Sequence, residues 1–223
     1  MLKELLSVET IKNNAKDFEG WLTSAESDVL FSTASTLSGR GCIVEIGSWC
    51  AKSLSYIAAG ALSCGFSNKI YSIDPFLTSK DEPNGKYETF VKNLKINGLL
   101  DYITHIKEKS QIAGTKFNDP VEFIFIDGFH KYDAVKRDFE LFFPKIIDGG
   151  YIAIHDIFAY LGPTVLLQEI LLNSSDFKLI NIVHSTAVAQ KTTYLTKDDI
   201  AKNKQFMNIL QEYISANPDS MIK

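Results

Sequence analysis

The sequence predicts an α/β fold, a doubly wound and mostly parallel sheet with an antiparallel edge. Three observations predict it. Apolar strand-like runs alternate five times with segments of helical period, and a closely spaced pair of strands then ends the pattern. The runs at 121–126 and 151–154 are β-branched or aromatic with little charge, which suits strands buried on both faces of a parallel sheet. Polar residues gather where such strands end: Gly47, Asp74, Asp127 with His130, and His155 with Asp156. In open α/β sheets the ligand crevice lies outside the carboxyl ends of the strands.

The elements follow in order. Residues 2–18 read as a helix, and a second follows Trp21, with Leu22, Ala25 and Val29 on one face. Ser38-Gly-Arg-Gly41 ends it. The first strand is Cys42–Ile46, followed by the turn Gly47–Ser53 and a helix over 52–64. Lys69–Asp74 is the second strand. A polar loop around Pro83-Asn-Gly85 leads to a helix from Tyr87 to Ile96, closed by Asn97-Gly98. Tyr102–Ile106 is the third strand, with a short helix from Ser110. Val121–Ile126 is the fourth, interrupted only by Glu122. A helix over 131–143 carries Val135, Phe139 and Phe142 at helical spacing, and Pro144 and Asp148-Gly-Gly150 end it. Tyr151–Ile154 is the fifth strand. A helix over Leu161–Leu172 precedes the hairpin Phe177–Val183 and Ala187–Tyr194. Thr196 with Asp199 forms a capping box that opens a last helix carrying Phe206, Met207, Leu210 and Ile214.

The pattern divides the chain into an N-terminal helical cap, 1–40, a central domain, 41–195, and a C-terminal helix, 196–223. At 223 residues, 45% apolar and 22% charged, the composition is that of one globular domain with end additions. The net charge of −4 argues against a nucleic-acid surface and for a small-molecule partner. Cys42, Cys50 and Cys64 form no CxxC motif, and free thiols in a reducing compartment are the simpler reading. Residues 1–20 show no apolar core of signal-peptide type, and no 18-residue apolar run occurs in the sequence. These features predict a cytoplasmic protein with no membrane contact. The end helices could pair in a homodimer.

Each candidate site residue has a chemical reason. Gly47 permits a tight turn and close approach of a ligand to the backbone. Glu45 is an acid within an apolar strand, so it needs either a partner or a solvated edge. Asp74 could accept two ribose hydroxyls or cap a turn. Asp127 and Asp156 suit a hard cation, and His130 is placed as a general base. His155 either shares that role or faces inward. His105 and His184 read as strand residues away from this edge. Lys52-Ser53 resembles the end of a nucleotide P-loop, but Gly47 to Lys52 is one residue short and Ala51 replaces the second glycine. A P-loop-like nucleotide hydrolase and a non-catalytic binding module are therefore the rival readings.

Taken together, Val44-Glu-Ile-Gly-Ser48, Asp74, Phe125-Ile-Asp-Gly-Phe-His-Lys-Tyr132, Asp148-Gly-Gly150 and His155-Asp156 carry a resemblance. They resemble the class I S-adenosylmethionine-dependent methyltransferases, nearest the macrocin-type sugar O-methyltransferases and the cephalosporin hydroxylase-like proteins. The resemblance implies a Rossmann-like seven-stranded sheet with an antiparallel C-terminal strand. It implies methylation of a small hydroxylated acceptor, such as a sugar. Glu45, Gly47 and Ser48 would border the methionine part of S-adenosylmethionine, Asp74 the ribose and Ser110 the adenine, with Asp127 close by. His130 with Asp127 would be catalytic, and Asp127 with Asp156 would hold Mg2+ or another divalent cation. Three departures from the family pattern stand out: Ala51 where glycine is common, Phe129 where an acid is common, and Ile157 beside Asp156.

Overall fold

The structure, a computed structural model, describes residues 6–77 and 86–217. The Pro83-Asn-Gly85 loop, Leu2 and Leu5 lie outside the described residues. Helices α1 (Val8–Lys16) and α2 (Ser24–Ala34) precede β1 (Cys42–Ile46). Then come α3 (Lys52–Ser63), β2 (Ile70–Ile73), α4 (Tyr87–Ile96), β3 (Ile103–Ile106), α5 (Ser110–Lys116), β4 (Val121–Ile126) and α6 (Tyr132–Phe142). β5 (Ile146–Ile154), α7 (Leu161–Leu166), β6 (Phe177–Val183), β7 (Thr186–Lys191) and α8 (Lys197–Ala216) complete the chain. The strands form one seven-stranded sheet in the order β3-β2-β1-β4-β5-β7-β6. β1 to β5 are parallel, whereas β7 runs antiparallel to both β5 and β6. This is the Rossmann-like sheet with an antiparallel hairpin that the sequence led us to expect.

Alternation along the strands separates two cores. Val44 and Ile46 of β1, with Ile124 and Ile126 of β4, face α5, α6, α7 and α8. Ile43, Phe123 and Phe125 point the other way, toward α3 and α4. Ile11 of α1 and Leu30 and Ala34 of α2 belong to that second cluster, so the N-terminal helices share a core with the sheet. The strand order reverses between β1 and β4. In open α/β sheets ligands bind at such a reversal, so the loops after these two strands mark the place of the candidate site.

The structure corrects several expectations. β5 starts at Ile146, so Asp148-Gly149-Gly150 does not end the preceding helix but lies within the strand. It forms an irregularity there: Val121 pairs with Ile146, and pairing resumes at Phe123 with Tyr151. The helix ends instead in a turn of 3-10 helix at Phe143-Pro144-Lys145. α2 buries Glu26, Ser27, Leu30, Thr33 and Ala34, while Leu22, Ala25 and Val29 lie at the margin of the core. That helix buries a polar stripe, which apolar periodicity could not reveal. The helix over Leu161–Leu172 forms as expected, with π-helical geometry in its second half. Phe76, just past β2, is buried and packed on Tyr87 and Phe90. His184 sits in the β6–β7 turn with φ 48°, not in a strand. Among the described residues no helix is long and apolar enough to cross a membrane.

Candidate active site

The loop after β1 is built by backbone constraints. Gly47 has φ +84°, and a Cβ there would lie 2.1 Å from the Asp127 carbonyl oxygen. Only glycine lets this turn close against the β4 exit. The Gly47 amide donates to the Ile73 carbonyl at 2.9 Å, and the Asp127 amide to the Ile46 carbonyl at 2.9 Å. Three strand ends are thereby fixed to one another. Asp74 braces the same loop: its Oδ2 accepts from the amides of Ser48 at 2.9 Å and Trp49 at 3.0 Å. Its Oδ1 accepts from the Phe76 amide at 2.7 Å. The turn-capping role considered for Asp74 is therefore present in the structure. Ala51 adopts φ 64°, a left-handed conformation that disfavours a side chain and suits the glycine common at this point.

Glu45 lies in β1 between β2 and β4 and is fully buried, which removes the solvated-edge reading. Burial raises its carboxyl to about 8; the nearby Ser48 and Ser53 hydroxyls oppose the rise, and the Asp127 and Asp74 charges add to it. Neither carboxylate oxygen forms a well-directed hydrogen bond among the described residues. A buried acid without such a partner beside a backbone-lined crevice suits a cationic ligand group.

The second half of the site comes from β4 and β5. Asp127, His130 and Asp156 each offer a ligand atom within 4.8 Å of the others, a spacing that a metal ion could bridge. His130 Nε2 lies 3.0 Å from Asp156 Oδ2 and 3.9 Å from Asp127 Oδ1. The nearer contact is an ion-pair approach off the N–H direction, because Nε2 makes no directed hydrogen bond. Burial alone would lower the imidazole, but the two carboxylates outweigh it and raise it to about 9. Asp156, at φ 61°, is held well below the usual carboxylate range: burial opposes this, and His130 and His155 prevail. Tyr160 stacks on His130 with ring centroids 4.2 Å apart.

His155 faces inward, 4% exposed, with Nδ1 3.1 Å from Asp127 Oδ1 and 3.4 Å from Asp156 Oδ1. It is packed beneath the two acids rather than open to an acceptor. Ser110 opens α5, is buried, and approaches Asp138 of α6. Burial lifts Asp138 to about 6, the Ser110 hydroxyl and Arg137 opposing it. Lys52 does not face the crevice. Its Nζ donates to the Lys16 carbonyl at 3.3 Å, which leaves the P-loop reading without its phosphate-binding cation. Phe129 and Tyr160 are exposed beside the site. Glu26, not singled out from sequence, reaches His155 from α2, with Oε1 3.6 Å from Nε2. The Thr23-x-x-Glu26 pattern signals a helix cap, but nothing in it signals contact with a residue 129 positions away.

A family model described as a methyltransferase domain matches residues 44–157, which run from the glycine loop past Asp156. The chain belongs to this methyltransferase family. The uncharacterized protein R132 of Acanthamoeba polyphaga mimivirus is 34% identical over 107 residues, covering 44% of this chain. The match spans 46% of that relative, so it reaches about half of the relative's length. Among solved structures, a putative O-methyltransferase from Klebsiella pneumoniae matches with a TM-score of 0.62 and 12% identity, over 83% of this chain and 90% of that one. The O-methyltransferase TomG from Streptomyces achromogenes, in complex with SAM, gives a TM-score of 0.60 at 15% identity, over 85% and 91%. An O-methyltransferase from Bacillus cereus, in complex with SAH, gives 0.58 at 15% identity, over 82% and 89%. These similarities establish the fold of the methyltransferase chain.

Proposed function

We propose that this methyltransferase transfers a methyl group from S-adenosylmethionine to an oxygen of a small hydroxylated acceptor, with sugar diols as the leading class. One observation carries the reading: the Asp127–His130–Asp156 cluster adjoins the glycine loop, with Gly47 packed on the Asp127 carbonyl. A cofactor crevice and a proton-handling cluster thus share one sheet edge. The net charge of −4 favours a small acceptor over nucleic acid. The family, and the SAM and SAH bound to TomG and the Bacillus cereus enzyme, agree with this cofactor.

The donor set fits S-adenosylmethionine. Glu45 offers a buried carboxyl group without a directed hydrogen bond, whose proton the cationic methionine part would displace. Gly47 and Ser48 line that part with backbone, Asp74 lies at the ribose position, and Ser110 borders the adenine. When bound, the cofactor supplies an activated methyl group on a sulfonium. The site also fits a divalent cation, through Asp127 and Asp156. When bound, such an ion lowers the pKa of a chelated hydroxyl. His130 accepts the acceptor's proton at Nε2. It does so as neutral imidazole, which requires that Asp127 and Asp156 be engaged by something other than its own charge. Tyr160 holds the ring in place by stacking. The chain contributes mainly orientation and electrostatics.

The test is transfer of labelled methyl from S-adenosylmethionine to a panel of sugars and other vicinal diols, with Mg2+ or with EDTA. The expected result is transfer that falls about a hundredfold or more in His130→Ala. Undiminished transfer in His130→Ala, or transfer to nitrogen acceptors only, would contradict the assignment.

A further inference from the structure

The residues matched by the family model begin at 44 and end at 157, yet the side chains of Glu26 and Ser185, outside that span, approach His155 next to the cluster. Glu26 is 1% exposed, although it sits in the first turn of a surface helix. Its Oε2 completes the helix cap, accepting from the Thr23 amide at 2.9 Å and the Thr23 hydroxyl at 2.8 Å. The cap needs nothing more from this side chain. Its Oε1 nonetheless accepts from the Ser185 amide at 2.9 Å, the Ser185 hydroxyl at 2.7 Å and the Thr186 hydroxyl at 3.2 Å. The same oxygen lies 3.6 Å from His155 Nε2, and Ser185 Oγ lies 3.4 Å from that nitrogen. The opposite nitrogen of the ring faces Asp127 and Asp156 at 3.1 and 3.4 Å.

His155 therefore stands between a carboxylate of the N-terminal helices and the two carboxylates beside His130. Burying a carboxylate is costly unless it is hydrogen-bonded, and Glu26 is held by the Thr23 cap on one oxygen and by the β6–β7 turn next to the ring on the other. We propose that Glu26 is a positioning residue: through His155 it fixes the orientation of Asp127 and Asp156, so that α2 is part of the active site. The proposal rests on the reading of the Asp127–His130–Asp156 cluster as the reaction centre. The alternative is that Glu26 only docks α2 on the hairpin.

A double-variant cycle with His155 separates the two, because Glu26→Asp withdraws the same oxygen from His155 and from the hairpin turn alike. The chain's other capping box uses aspartate, Thr196 with Asp199, so an aspartate at position 26 keeps the cap while drawing the carboxylate back from His155. Thr23→Ala removes the cap hydroxyl, together with its contact to His184 of the same turn at 2.9 Å, while the Ser185 amide and hydroxyl still hold Oε1. The readout is the backbone amide NMR signals of Asp127, His130 and Asp156 in wild type, Glu26→Asp, His155→Gln, the double variant and Thr23→Ala. The expected result is that Glu26→Asp moves these signals, that its effect vanishes in the His155→Gln background, and that Thr23→Ala leaves them in place. An acceptor found with the panel above should show kcat falling by up to about a hundredfold in Glu26→Asp, with KM for S-adenosylmethionine unchanged. Signals unmoved by Glu26→Asp, or moved equally in the His155→Gln background, would overturn the proposal. If Glu26→Asp fails to fold, Glu26→Gln takes its place in the same cycle. Titration of S-adenosylhomocysteine into the same samples tests the methyltransferase reading separately: absence of binding in wild type would sink that reading and leave the amide coupling to stand or fall by itself.

Discussion

Glu45 concentrates the chemistry of the site in one residue. Its carboxyl is raised from 4.5 to about 8, so between those values the folded chain holds a proton that the unfolded chain has released. Stability from this group is therefore present below pH 4.5 and lost as pH rises toward 8. A shift of this size corresponds to a few kcal/mol. Glu45→Gln should flatten the pH dependence of stability across that window and make the ligand-free protein more stable at pH 8, as urea denaturation at both ends would show. The same change should weaken S-adenosylhomocysteine binding about tenfold or more, because stability and function compete at this position. An unchanged slope would mean that Glu45 is charged and paired. Sequence alone marked Glu45 as unusual but left its solvation open, because burial depends on which strand lies beside it. The same limit applies to Asp74. Its position at the strand exit was legible, but its hydrogen bonds to Ser48, Trp49 and Phe76 follow from a loop conformation that no local pattern encodes.

Among the elements, the loops after β1, β4 and β5 fix the site, and close backbone packing fixes the loops. Gly47→Ala forces a Cβ to within 2.1 Å of the Asp127 carbonyl oxygen at φ +84°. The expected cost is about 3 kcal/mol, with loss of cofactor binding, measured by chemical denaturation and by S-adenosylhomocysteine titration. Gly162 in α7 is equally crowded, with a Cβ there 2.0 Å from the His130 carbonyl oxygen, so α7 seats the turn that carries His130. α2 contributes packing as well as Glu26. Leu30 is fully buried in the cluster shared with β1 and β4, and Leu30→Ala should cost about 2–5 kcal/mol. Most strands and helices were legible because their apolar periods differ and glycine, proline and capping residues punctuate them. Two elements were misjudged for physical reasons. The Asp148-Gly-Gly150 segment has turn composition, yet it bulges within β5, with Gln190 of β7 donating to the Gly149 carbonyl at 2.9 Å. α2 buries polar groups that meet the hairpin, and this contact is invisible to a hydrophobic pattern.

Across the whole molecule, backbone strain is concentrated where the chemistry is expected. Trp49, Ala51, Phe76, Asp156 and Phe158 all have positive φ, and all lie in loops leaving the carboxyl ends of β1, β2 and β5. Such conformations persist only where surrounding packing over-determines them, and they cluster at binding sites. The strand order accounts for their shared location, since it reverses between β1 and β4 and opens the crevice at that edge. The positions of Gly47, Asp74, Asp127 and His155 at strand exits were legible because the apolar runs end there. The contribution of Glu26 was not, because it depends on how the N-terminal helices meet the β6–β7 hairpin. The most direct test of the central claim is isothermal titration of S-adenosylhomocysteine into the wild-type protein. Saturable binding that is lost in Asp74→Ala and retained in Lys52→Ala is the expected result. Folded wild-type protein that takes up no S-adenosylhomocysteine, or binding that depends on Lys52, would contradict it.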